Sequence, residues 1–177
     1  AYGMFLGAGA VIQGTEYAHR KVHARGLRDN TGLAVAVART LWGLRRGDPR
    51  FSRTVTLSVT VDGCEFLSEQ PIGALMVSSL ERLFLGIRPF WGPGEGPLRS
   101  TVIGPAPRRL FRSLPRLLAG RPGGAIVEAA GYQSCRGHRL CLRLDGVLNI
   151  DGELHEVQST TDGVTVDAGG TFTFLRL

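Results

Sequence analysis

The sequence predicts a mainly β fold of the α+β class: an antiparallel β-sandwich with one long helix and a short amphipathic helical segment. Three observations predict it. Stretches with an apolar residue at every second position recur along the chain, most clearly Val55, Leu57, Val59 and Val61 between Thr54, Thr56, Ser58 and Thr60. Four Asp-Gly pairs, at Asp62-Gly63, Asp145-Gly146, Asp151-Gly152 and Asp162-Gly163, supply residues that tolerate the positive φ of tight hairpin turns. Finally, 25 Gly and 9 Pro in 177 residues mark many short elements rather than a few long ones. This length suits one domain spanning residues 1–177 with a real hydrophobic core.

In chain order, the small apolar segment from Phe5 to Ile12 reads as a buried strand. A polar stretch, Gln13 to Arg28, follows. Asp29, Asn30 or Thr31 then caps a helix running to about Arg46, in which Leu33, Val37, Leu41 and Leu44 recur at helical spacing and Gly47 and Pro49 end the run. Arg53 opens the alternating strand that Asp62-Gly63 turns. Further strands are expected at Ala74–Leu80, Leu83–Ile87, Leu98–Ile103, Ala125–Gln133, Arg139–Leu144, Val164–Asp167 and Thr171–Leu177. Between the strands, Arg108, Arg112 and Arg116 lie four apart while Leu110, Phe111, Leu114, Leu117 and Leu118 share another stripe, the pattern of an amphipathic helix that Pro115 should interrupt. Its apolar stripe is expected to pack on the sheet, leaving the arginines solvated; a basic face toward membrane phosphates is the minority reading.

The composition bounds the function. A hydrophobic fraction of 43% and a charged fraction of 20% are ordinary for a soluble globular chain. No apolar run approaches the ~20 residues that span a bilayer, and no leader pattern opens the chain. The chain starts Ala1-Tyr2-Gly3-Met4-Phe5-Leu6, directly on a strand-like segment, and reads as an excised piece of a cytoplasmic protein. Lys and Arg number 21 against 15 Asp and Glu, a formal charge of +6, which favours an anionic partner without choosing among phosphorylated substrate, membrane surface and nucleic acid. No recognition helix, zinc finger or aromatic RNA-binding motif is present, so nucleic acid is not the expected partner. A second copy of the chain, forming a homodimer, is compatible with everything above.

Several chemical motifs fail. Cys64, Cys135 and Cys141 are too few and too unevenly placed for a disulfide framework and are expected as free thiols. Cys135-x-x-His138-x-x-Cys141 has zinc-ligand residue types, but on a regular strand Cys135 and Cys141 share one face and His138 points to the other, with no fourth ligand nearby. The glycines of Gly7-Ala-Gly-Ala-Val-Ile-Gln-Gly14 do not match a dinucleotide fingerprint, and neither a P-loop nor a nucleophile elbow occurs. What remains is Asn149-Ile150-Asp151-Gly152-Glu153. Of the four Asp-Gly pairs only this one is followed directly by a second acid, so it is either a plain turn or a site.

The order of these features resembles the C-terminal domain of the diacylglycerol kinase and sphingosine kinase-like lipid kinases over nearly the whole chain: long helix, alternating strand with Asp62-Gly63, strand, Pro89-Phe-Trp-Gly-Pro-Gly-Glu-Gly-Pro-Leu98, strand, amphipathic segment, further strands and a late Asp-Gly-Glu. The resemblance implies a β-sandwich that closes over an N-terminal nucleotide-binding domain carrying Gly-Gly-Asp-Gly-Thr. That motif is missing here and should lie upstream. The implied cofactors of the intact enzyme are ATP and Mg²⁺, and the implied substrate is a lipid hydroxyl, of the diacylglycerol or sphingoid-base class, at a membrane surface. The resemblance assigns catalysis to the acids of Asp-Gly-Glu. Glu153 is the candidate to accept or guide the hydroxyl proton, and Asp151 shapes the turn or orients a magnesium-bound water. Where the family carries Pro-x-Ala-x-x-Asp-Asp-Gly-x-Leu-Asp, this chain aligns Pro89, Gly96 and Leu98 but has Gly94, Glu95 and Arg99 in place of three acids. A structural metal needs several oxygen ligands and is not expected in that loop. The alternative is a non-catalytic lipid- or anion-binding module that keeps the sandwich without the kinase chemistry.

Overall fold

The computed structural model describes residues 1–17, 42–43, 46, 54–83, 86–107, 109–121, 123, 128–158 and 163–170. Their strands form two antiparallel sheets. Among the described residues there are ten strands: β1 Phe5–Gly9, β2 Val55–Val61, β3 Cys64–Ile72, β4 Ala74–Ser78, β5 Leu98–Ile103, β6 Tyr132–Gly137, β7 Arg139–Leu144, β8 Gly146–Ile150, β9 Glu153–Val157 and β10 Val164–Asp167. The six-stranded sheet has the order β6-β5-β4-β1-β8-β9, and the four-stranded sheet β10-β7-β2-β3. Every pairing is antiparallel.

The core lies between the sheets, as the alternation requires. One continuous cluster joins Leu6, Ala8, Leu75, Val77, Leu98, Val102 and Leu148 of the larger sheet to Leu57, Val59, Leu67, Ile72, Leu140, Leu142 and Leu144 of the smaller. A second, smaller cluster sits on the outer face of the larger sheet. There Leu117 and Tyr132 are buried with Trp91, Ile103, Leu110 and Leu114 packed around them. These contacts hold helix α2, Leu110–Leu118, against the sheet with its arginines outward. Helix α1, Ala10–Tyr17, packs on β1, β4 and β8.

Most of the predicted strands are observed with similar bounds, and the differences have local causes. β1 stops at Gly9 rather than Ile12, because Gly9 takes a φ of 67° and lies against the Gly73 carbonyl, where a side chain would not fit. Leu83 and Ile87 do not belong to a strand: Leu83 N donates to Ile87 O at 2.9 Å, and Gly86 N to Leu83 O at 3.2 Å, closing a turn. The strand expected from Ala125 begins only at Tyr132, after a short 3₁₀ turn at Glu128–Ala130. β3, β8 and β9 were not foreseen as strands. Pro115 does not end α2; it removes one N–H donor inside a helix that runs on to Leu118. The long helix expected to end near Arg46 and the strand expected at Thr171–Leu177 lie outside the described residues, apart from Trp42, Gly43 and Arg46. There Arg46 N donates to Trp42 O at 3.1 Å, and its guanidinium sits 5.0 Å above the Trp42 ring.

Candidate functional site

The Asp-Gly-Glu segment is the tip of the β8–β9 hairpin. Ile150 pairs with Glu153, leaving a two-residue loop in which Asp151 has φ 48° and Gly152 φ 100°. Two positive φ values make a type I′ turn, whose twist suits the flanking strands. Gly152 N also donates to Asn149 Oδ1 at 2.7 Å, so the buried Asn149 closes the turn from inside.

Asp151 does more than turn the chain. Its carboxylate accepts the backbone N–H of Met4 through Oδ2 at 2.8 Å and that of Phe5 through Oδ1 at 2.9 Å, while its own N–H donates to Phe5 O at 2.9 Å. The hairpin tip therefore grips the start of β1. Gly3 permits the approach, since a Cβ there would lie 2.6 Å from Ile150 Cγ2 and 2.9 Å from Asp151 Oδ2.

The same device occurs in the other sheet. Asp62, at the tip of the β2–β3 hairpin with φ 49°, accepts His138 N at 3.0 Å and Arg139 N at 2.8 Å through Oδ1 and donates its own N–H to Arg139 O at 2.9 Å. Gly137 allows it, a Cβ there lying 2.8 Å from Asp62 Oδ2. Asp62 and Asp151 thus perform one structural task at two places: a hairpin aspartate clamps the first residues of the neighbouring strand.

Glu153 is placed differently. It is the first residue of the edge strand β9, its side chain is 85% exposed, and its neighbour His155, two residues along the same face, lies at 3.8 Å between Oε2 and Nε2. Of the two acids in the segment, one is held by the backbone and the other is exposed on a fixed base beside His155. His155 was missed in the sequence, although period-two spacing would have placed it beside Glu153 had β9 been read as a strand.

The Pro89–Arg99 loop runs along the edge of β6. Trp91 N and Gly92 N donate to Ser134 Oγ at 3.2 and 3.1 Å, Arg136 N donates to Pro93 O at 2.9 Å, and Thr101 Oγ1 donates to Pro89 O at 2.5 Å. Gly92, Gly94 and Gly96 each lie against the β6 backbone where a Cβ would collide, with Arg136 O 2.5 Å from the position at Gly94. The loop covers an otherwise open sheet edge. Its donor set does not fit a divalent cation. Glu95 is its one carboxylate and is exposed, and Arg99 puts its Nη1 on the carbonyls of Ser79 and Pro97 at 3.3 and 3.2 Å.

Cys135, His138 and Cys141 are arranged otherwise than a single strand would place them. The chain passes from the larger sheet to the smaller at His138, so Cys135 is buried in β6 while Cys141 lies in β7. His138 and Cys141 meet instead at a shallow open depression with Asp62, Arg139 and Asp167. The Arg139–Asp167 ion pair ties β7 to β10 there and holds the guanidinium pKa above its ordinary value. Burial pushes the Cys135 thiol up to about 11, and the Asp62 charge adds to this. Among the described residues, no three His, Cys, Asp or Glu side chains converge as metal ligands.

With this geometry, the chain is similar to a protein assigned as a diacylglycerol kinase from Bacillus anthracis str. Sterne, with a TM-score of 0.55 and 15% identity over 89% of this chain and 50% of that one. The fold is that of one half of such a protein. Two further chains from the same organism, a diacylglycerol kinase and another protein assigned as one, align over 89% of this chain with TM-scores of 0.47, at 12% and 15% identity and over 44% and 51% of their own lengths. The chain thus spans about half the length of these structures. No family model and no curated protein sequence matches it. No helix among the described residues is long and apolar enough to cross a membrane.

Proposed function

We propose that the chain is the C-terminal, substrate-binding half of an ATP-dependent lipid kinase, with Glu153 as the group that takes the proton from the lipid hydroxyl. One observation carries the reading: Glu153 presents an exposed carboxylate, with His155 at 3.8 Å, from a tip that Asp151 anchors to β1. A general base must reach the hydroxyl in a fixed direction, and a turn clamped by two backbone hydrogen bonds supplies that direction. Asp151 is then a positioning residue. The nucleotide, held by an N-terminal domain, contributes the transferable phosphoryl group. Closure of that domain over the hairpin tip would supply the wall and the exclusion of water that an exposed carboxylate lacks.

The second reading, a non-catalytic lipid- or anion-binding module, is favoured by the match between Asp62 and Asp151. If both aspartates are only clamps, the Asp-Gly-Glu segment needs no chemistry to explain it. The two readings separate in an assay of phosphate transfer from ATP to diacylglycerol or sphingosine. The kinase reading expects none from the 177-residue chain and product from the protein that includes the nucleotide-binding half. Lipid phosphate from the chain alone overturns the two-half arrangement, and none from the longer protein leaves the module.

A further inference from the structure

The net charge of this chain is concentrated in one segment. Residues 96–127 contain six arginines and no Asp or Glu, and the remaining 15 Lys and Arg balance the 15 Asp and Glu. The whole formal charge of +6 therefore belongs to the loop, strand and helix around α2. On the surface that α2 turns away from the sheet, Arg109, Arg112 and Arg116 are exposed, and Arg121 follows directly after the helix. Among the described residues, no carboxylate forms an ion pair with any of the four. Glu128, the nearest acid after the segment, instead accepts a hydrogen bond from Gln133 at 3.3 Å.

Helix stability does not account for these arginines. The N-terminus of a helix favours negative charge, yet the first turn of α2 has no acid and the N-cap is Arg109, with φ 56° and no side-chain capping bond. Arg112 lies in that same turn. Only Arg116, in the last turn, sits where the helix dipole welcomes a cation. A cation kept where the helix disfavours it points to a requirement outside the helix.

We infer that the outward face of α2 docks on an anionic lipid surface. The partner is set by the character of the face. Phe111, 38% exposed, and the exposed Pro115 are interleaved with Arg112 and Arg116, so the face joins apolar contact to positive charge, as interfacial helices do. Among its described residues the face exposes no Ser, Asn or Gln with which a nucleic-acid surface reads phosphates and bases. The opposite stripe of α2 is already used against Tyr132 and Ile103, which fixes the helix parallel to the molecular surface. The inference rests on the lipid-kinase reading for its purpose, since docking would bring the Glu153 tip to a membrane-embedded hydroxyl, but not for its physical evidence.

The test is cosedimentation of the 177-residue chain with vesicles of phosphatidylcholine alone and of phosphatidylcholine mixed with phosphatidylserine. Binding is expected only to the mixed vesicles and is expected to fall with added salt. The double variant Arg112→Gln/Arg116→Gln should bind on the order of tenfold or more weakly. The charge-preserving Arg112→Lys/Arg116→Lys variant should bind as the parent does, and so should Arg82→Gln/Arg143→Gln, which removes two exposed arginines elsewhere. Equal binding to both vesicle types, no loss in the α2 double variant, or the same loss in the Arg82/Arg143 variant would overturn the assignment. Tighter binding of an oligonucleotide than of mixed vesicles, through Arg112 and Arg116, would give the face to nucleic acid and equally overturn it. Failure here and failure of the kinase reading are distinguishable: a longer protein that phosphorylates no lipid while the chain binds vesicles through α2 removes the kinase and keeps the dock, and activity on detergent-dispersed lipid without vesicle binding does the reverse.

Discussion

Asp62 and Asp151 meet one demand at the tips of hairpins in different sheets, and Glu153 meets neither. Each aspartate carboxylate holds two backbone N–H groups of the next strand while its own backbone occupies the left-handed region. Replacing either by Ala removes two charge-assisted hydrogen bonds and puts a methyl side chain at positive φ, so each variant is expected to lose about 2 kcal/mol of stability in urea titration. Glu153→Gln, exposed and unclamped, should cost within about 0.5 kcal/mol. That contrast separates the positioning acid from the exposed one before any activity is measured. Cys135 gives a second test at this scale. Its thiol is pushed from the usual 9 to about 11, so the folded protein keeps the proton after the unfolded chain has lost it. Stability from this group is complete below pH 9 and is lost as pH rises from there through about 11. Cys135→Ala should flatten that alkaline decline. At neutral pH a thiol reagent should modify the exposed Cys64 and leave Cys135 protected until the protein unfolds. In the sequence, the second acid after Asp151-Gly152 was legible, but the clamp was not, because its partners Met4 and Phe5 lie at the other end of the chain.

Which elements could be read in advance follows from how each is wetted. Leu98–Ile103 and Arg139–Leu144, whose bounds the sequence placed, lie inside their sheets; the second buries alternate leucines, and the first buries Leu98 and the run Ser100–Val102. β3, β8 and β9 were missed; β3 and β9 are edge strands, while β8 lies inside its sheet but buries the adjacent Leu148 and Asn149, so no alternation marks it. β3 buries only Leu67 and Ile72 and contains Pro71, which an edge tolerates because one side of the strand has no neighbour to receive a hydrogen bond. β9, Glu-Leu-His-Glu-Val, has no fully buried residue. Leu83 and Ile87 misled in the opposite sense, being apolar residues at the ends of a turn. Of the four edge strands, β3, β6, β9 and β10, β6 is covered by the Pro89–Arg99 loop, and the glycines of that loop are what allow the contact. Gly92→Ala would set a methyl group into the Ser134 backbone and is expected to destabilise by about 3 kcal/mol or more, with increased self-association as β6 is uncovered. Gly169→Ala, with open space around it, should be near neutral. Thermal unfolding and light scattering of the two variants check this.

At the scale of the whole molecule, two sheets share one core, and the chain crosses between them through single residues such as His138 and Asp145. Those crossings were hidden in the sequence, since a strand that changes sheets after one residue looks like one long alternating run. The sandwich class survives that loss because the alternation of apolar residues does not depend on which sheet a strand joins. The crossing also corrects the reading of Cys135 and Cys141: they belong to different sheets, and His138 lies at the break. The proposed kinase role, by contrast, is decided at one side chain. Phosphate transfer from ATP to a lipid hydroxyl should be measured in the protein that includes the nucleotide-binding half, with Glu153→Gln compared against Glu156→Gln. Glu156 pairs with Val147 and points to the opposite face of β9 from Glu153, so it removes the same charge from outside the site. The account predicts a loss on the order of 10²-fold or more for Glu153→Gln with the fold intact, and near-parental activity for Glu156→Gln. Equal and small effects at both positions would contradict it and leave the segment a structural turn.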